Sequence, residues 1–156
     1  KNLKTSLNKI KKLNIKAGLA INPDTPINEL ENYIEKVDLI CLMGVHAGFG
    51  GQKFIEKTFD RLVELKSLIK TKNSSALIEI DGGVNQKTSK LCIKNGADVL
   101  VAGSYIYDAP ESQYKKLINS LRWNKTKKFS EIILNKNISK AINKLNINQS
   151  AKNYQS

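Results

Sequence analysis

Three short stretches of this chain have the residue types and spacing for chemistry on a small anion. They are Met43-Gly-Val-His-Ala-Gly-Phe-Gly-Gly-Gln-Lys-Phe-Ile55, Ile78-Glu-Ile-Asp-Gly-Gly-Val-Asn85 and Val101-Ala-Gly-Ser104. Each sets glycines directly after an apolar, β-branched run. At such turns the backbone can approach a ligand closely, and exposed N–H groups can bind an anion. Turns on successive strands converge on one rim only when the strands run parallel, so the first ligand to consider is a phosphorylated small molecule. Within these stretches Asp81 is the residue able to act as acid, base and metal ligand, because it ends a strand at the rim where the glycine turns meet.

The elements that must position these turns follow from the hydrophobic period, which switches repeatedly between strand and helix. Strands are expected over residues 17–21, 38–45, 76–80 and 98–102, and helices over residues 4–13, 27–35, 56–70 and 111–121. Thr25 and Pro26 supply a cap and a first-turn proline for the second of these helices. Asn85 can cap a further helix that Gly96 ends. The alternation of strand and helix predicts a parallel sheet with helices packed outside it, an α/β fold.

The 156 residues suffice for one domain with its own core, and the formal net charge is +12. That charge sits at the two ends. Residues 1–16 hold six lysines and no acid, and residues 122–156 hold eight basic residues against Glu131 alone; the stretch between is close to neutral. Aromatic residues are not regularly interleaved with the basic ones as base stacking would require, which argues against nucleic acid as a partner. No apolar run approaches the roughly 20 residues of a membrane span. Cys41 and Cys92 lack paired metal spacing and read as reduced residues of a cytoplasmic protein. Two domains are expected: residues 1–122 carrying the βα units, and residues 123–156 a basic tail rich in Lys, Asn and Ile, with amphipathic helical spacing from Phe129 to Leu145.

In these motifs the chain resembles the ribulose-phosphate 3-epimerase family. The resemblance rests on Leu19-Ala-Ile-Asn-Pro-Asp-Thr-Pro26, Val37-Asp-Leu-Ile-Cys-Leu-Met43, Gly48-Phe-Gly-Gly-Gln-Lys-Phe-Ile55, Glu79-Ile-Asp-Gly-Gly-Val-Asn85 and Gly96-Ala-Asp-Val-Leu-Val-Ala-Gly-Ser104, in family order and spacing. It implies a (β/α)8 TIM barrel, of which this chain matches only the C-terminal half, four parallel βα units. The first four strands, which in relatives carry a serine, two metal-binding histidines and a catalytic aspartate, have no counterpart here. The implied reaction interconverts D-ribulose 5-phosphate and D-xylulose 5-phosphate through an enediolate, aided by a divalent metal ion (Zn, Fe, Mn or Co).

By the same resemblance Asp81 is the catalytic residue and a metal ligand, while Gly48, Phe49, Gly50, Gly51, Gly82, Gly83, Gly103 and Ser104 bind the substrate phosphate. Met43 would line the floor. His46 takes a position where relatives usually carry Asn or Glu and do not bind metal, so it reads as a loop residue near the sugar. Asn22 and Thr25 would shape the loop after the first strand. The expected partners are the phosphorylated ketopentose and either a further copy of the chain or the N-terminal half of the barrel. The fragment alone is expected to be inactive. The rival expectation is a non-catalytic half barrel that binds phosphate or a protein partner.

Overall fold

A computed structural model describes residues 2–122. The expected tail, residues 123–156, lies outside the described residues. Four strands, β1 (Gly18–Ile21), β2 (Leu39–Met43), β3 (Leu77–Asp81) and β4 (Val99–Val101), form one sheet in the order β1-β2-β3-β4. All three pairings are parallel, with Ala20 beside Cys41, Met43 beside Asp81 and Asp81 beside Val101. The sheet is therefore the parallel one that the alternating pattern predicts.

Side chains alternate across it. Ile40, Leu42, Ile78 and Ile80 are fully buried, packing with Leu62 and Leu65 of α2 (Thr58–Thr71) in one core. The neighbours Leu39, Cys41, Leu77 and Glu79 point the other way and are only partly buried. One face of the sheet is thus covered by helices, and the other would be the interior of a barrel.

Helix α1 (Leu3–Lys12) precedes the sheet, and α3 (Gln86–Lys94) lies between β3 and β4. Asn85 caps α3 as expected: its side chain accepts from the N–H groups of Lys87 and Thr88, and the Thr88 hydroxyl closes a capping box. The far end is a Schellman turn, with Gly96 N–H on Ile93 O at 3.1 Å and Ala97 N–H on Cys92 O at 3.0 Å.

The helix expected over residues 27–35 is corrected. That stretch forms two short 3-10 turns, Ile27–Leu30 and Ile34–Lys36. Pro26 stands before the first with extended ψ of 140°, and no side chain caps it. A segment this short gains little from helix propagation, and burial of Ile27, Leu30 and Ile34 fixes its path instead. The final expected helix is shorter for the same reason. After Pro110 the chain makes a 3-10 turn, Glu111–Gln113, before α5 (Tyr114–Leu121).

The amino ends of the strands are clamped twice in the same way. Asp38, just before β2, accepts Lys11 Nζ at 2.7 Å and Ala17 N–H at 2.8 Å. Asp98, just before β4, accepts Ile78 N–H at 2.9 Å and has Lys66 Nζ at 3.7 Å. Burial alone would raise the Asp38 pKa, but Lys11 and the Ala17 N–H together pull it below the ordinary value of 3.8.

Candidate active site at the carboxyl rim

The opposite, carboxyl end of the sheet carries the three glycine turns. Met43 ends β2 and leads into the loop 44–54, whose neck is held by Gly44 N–H on Asp81 O at 2.6 Å and Ile55 N–H on Gly44 O at 2.8 Å. β3 ends at Asp81 and turns through Gly82 and Gly83. β4 leads through Gly103 into the short helix α4 (Ser104–Tyr107).

These turns enclose a cavity of about 380 Å³. All nine residues named from the sequence line it: Asp81, Gly48, Phe49, Gly50, Gly51, Gly82, Gly83, Gly103 and Ser104. Met43 and His46 line it as well. Asn22 does not, and Thr25 faces a separate cavity of about 430 Å³ beside α2 that shares only His46 with the first.

The backbone at this rim is rich in free donors. Among the described residues, none of the N–H groups of residues 48–51, 82, 83, 103 and 104 donates to a carbonyl or a side chain. Backbone N–H groups are normally paired, so such a concentration around one cavity suits an anion. Gly83 shows why a glycine is needed. Its φ is +65°, and an added Cβ would fall 2.6 Å from the backbone nitrogen of Phe54. Gly51 differs: its φ of +73° also favours glycine, but nothing lies within 4 Å of an added Cβ. Packing requires the first glycine, whereas the space around the second is open.

Asp81 presents its carboxylate to this cavity without a hydrogen-bond donor among the described side chains. Two residues earlier on the same strand face lies Glu79. Burial raises its pKa above the ordinary 4.5, the neighbouring Cys41 thiol opposes the rise and the charge of Asp81 adds to it. Burial likewise pushes the Cys41 thiol up to about 12, helped by Glu79, so it is no nucleophile near neutral pH. His46 Nδ1 lies 3.5 Å from Asp24 Oδ2, both well exposed.

No three His, Cys, Asp or Glu side chains come together among the described residues in a metal-binding arrangement. Asp81 offers one carboxylate, too few donors for a metal site on these strands alone. Asp81 can supply one of the ligands that the expected metal ion needs, and the others would come from outside these strands.

Two contributors escaped sequence reasoning. Arg61 on α2 is 6% exposed and donates from Nη1 to Asn22 O at 3.0 Å and Pro23 O at 2.6 Å, and from Nη2 to Thr25 O. It holds the loop after β1. In the sequence it looks like one more surface charge of an amphipathic helix. Glu79 was visible in the alternation that puts residues 77, 79 and 81 on one face, but nothing local showed that face to be half-buried.

A parallel sheet of βα units with its candidate chemistry on the carboxyl rim is the plan of a TIM-type barrel, here four of the eight units. The chain belongs to the ribulose-phosphate 3-epimerase family, whose pattern matches residues 1–107. It is similar to the ribulose-phosphate 3-epimerase of Bacillus subtilis, 44% identical over 117 residues that make up 74% of this chain and 53% of that protein. The Escherichia coli K12 protein of the same name is 43% identical over 117 residues, 75% of this chain and 51% of its own length. The chain thus spans about half the length of these relatives. Among solved structures, a chain in the crystal structure of the tryptophan synthase complex from Pyrococcus furiosus shares the fold, with a TM-score of 0.53 at 16% identity over 76% of this chain and 47% of that one. No helix among the described residues is long and apolar enough to cross a membrane.

Proposed function

We propose that this chain contributes the carboxyl-terminal half of a ribulose-phosphate 3-epimerase active site, with Asp81 as its acid–base group and the three glycine turns as its phosphate cradle. The observation that carries this reading is the convergence of Asp81 and eight turn residues on one cavity whose backbone N–H groups are free. The substrate would be a phosphorylated ketopentose, D-ribulose 5-phosphate or D-xylulose 5-phosphate.

Epimerisation beside a ketone takes a proton from one face of the carbon and returns one to the other. Asp81 can serve one face. Its position at the end of β3 sets the carboxylate beside the Gly82–Gly83 turn, so a sugar anchored there by its phosphate would bring a carbon within reach. The N–H groups of the turns and the Ser104 hydroxyl hold the dianion in place, which converts binding into orientation. The second face requires a group from outside these four strands. The complete barrel is therefore the catalytic unit, and this chain by itself is inactive.

The test is a chimeric barrel in which residues 1–122 replace the matching half of the Bacillus subtilis protein. Epimerase turnover by the chimera, and none by the isolated chain freed of host enzyme, is the expected result. A folded chimera that binds the pentose phosphate but does not turn it over would favour the rival reading, a phosphate-binding half barrel without catalysis.

A further inference from the structure

Gln52 closes the glycine loop from inside. Its side-chain Nε2 donates to His46 O and to Phe49 O, both at 2.8 Å, bridging the two ends of the turn that holds Gly48. Both partners are carbonyls, so the amide nitrogen must be the atom that faces them. In a trans peptide the N–H of the next residue points opposite to the carbonyl. Drawing the His46 and Phe49 carbonyls onto Gln52 therefore turns the N–H groups of Ala47 and Gly50 away from it, and neither donates to another described residue. The loop has few other restraints. An added Cβ at Gly48, Gly50 or Gly51 would meet nothing within 4 Å, and Phe49 is 75% exposed. Between the neck at Gly44 and the return at Ile55, the two bonds from Gln52 are the side-chain hydrogen bonds within this loop, beside the exposed His46–Asp24 contact.

We infer that Gln52 is a positioning residue: its amide sets the glycine loop in the conformation whose N–H groups are free for the phosphate. It acts through the loop and not on the reacting carbon. This inference rests on the reading of the rim as a phosphate site. A loop of three glycines that had to order itself on binding would lose affinity to that ordering, and a side chain that prepays it keeps the donors in register.

The experiment titrates inorganic phosphate into the ¹⁵N-labelled full chain, the wild type beside Gln52→Met and Gln52→Glu. Met keeps the length without donors, and Glu offers only acceptors to two carbonyls. The wild type should show saturable shifts at the Gly48, Gly50 and Gly51 amides. Both variants should bind phosphate about tenfold more weakly or worse, the size expected for two lost hydrogen bonds. Before any phosphate is added, their amide signals over residues 46–51 should already have moved, while those of Gly82 and Gly83 stay in place. Wild-type binding that both variants retain in full would overturn the role of Gln52 and leave the phosphate site standing. Weakened binding with unmoved loop signals would also overturn it, because Gln52 would then touch the anion directly. Absence of saturable shifts in the wild type would sink the phosphate site itself, and this inference with it.

Discussion

The two ends of the sheet use the same residue type in opposite ways. At the amino end, Asp38 and Asp98 have their carboxylates on strand N–H groups and face lysines. At the carboxyl end, Asp81 faces a cavity with no donor among the described side chains and is ringed by unpaired N–H groups. Paired carboxylates stabilise a fold and leave nothing over for a ligand. An unpaired one at a rim of free donors contributes little to the fold and is available for proton transfer. The partners of an aspartate, and not its place beside a strand, separate a structural carboxylate from one left free.

The sharpest break of this comparison is a pair of substitutions at the two ends. In the chimeric barrel, Asp81→Asn should lower turnover by about 10²-fold or more, as loss of a general acid–base group does, with the unfolding midpoint nearly unchanged. Asp98→Ala should do the reverse. It strips the partner from the N–H of Ile78, a fully buried residue, and should cost about 1–3 kcal/mol in urea unfolding while leaving the rim intact. Equal losses of stability from both would erase the distinction between the ends.

Acid titration sharpens the same contrast. The folded-state pKa of Asp38 lies below the ordinary 3.8, so its contribution to stability is present above that value and fades as pH falls through the folded one. Glu79 runs the other way. Its pKa is raised above 4.5, so its contribution is full below 4.5 and is lost as pH climbs through the raised value. Asp38→Asn should therefore flatten the acid limb of a stability–pH curve. Glu79→Gln should instead lift stability at neutral pH relative to acid. A Glu79→Gln chain as pH-dependent as the wild type over that range would show that Glu79 is solvated like a surface carboxylate.

Much of this was legible in the sequence. Short apolar runs bounded by Asn-Pro or by glycine turns marked the four strands, as expected of buried parallel strands. The nine site residues were named through the family resemblance; they line one cavity at the carboxyl rim, and their roles are proposals. What the sequence hid were partners distant along the chain. Arg61 bonds to carbonyls nearly forty positions earlier, and nothing local distinguishes it from the exposed lysines of the same helix. The segment after Pro26 misled because Ile27, Leu30 and Ile34 keep helical spacing. Yet the stretch forms two separate 3-10 turns, with Ile27, Leu30 and Ile34 buried.

The smallest expected effect lies within the carboxyl end itself, between donors of two kinds. Most of the phosphate contacts would come from backbone N–H groups, which no side-chain substitution removes, whereas Ser104 adds a hydroxyl from the first residue of α4. Ser104→Ala removes that one group and leaves the N–H beside it. In the phosphate titration it should weaken binding by about 0.5–1.5 kcal/mol, up to about 3 for a bond to a charged oxygen. Gly103→Val places a branched side chain where the structure has open space and blocks the approach of the anion, and Gly51→Val adds to such a block the strain of a β-branched residue at a φ of +73°, so each should weaken binding more than Ser104→Ala. If both valine variants bound phosphate as well as the wild type, the backbone would not be the cradle, and the hydroxyl at Ser104 would belong to a different site.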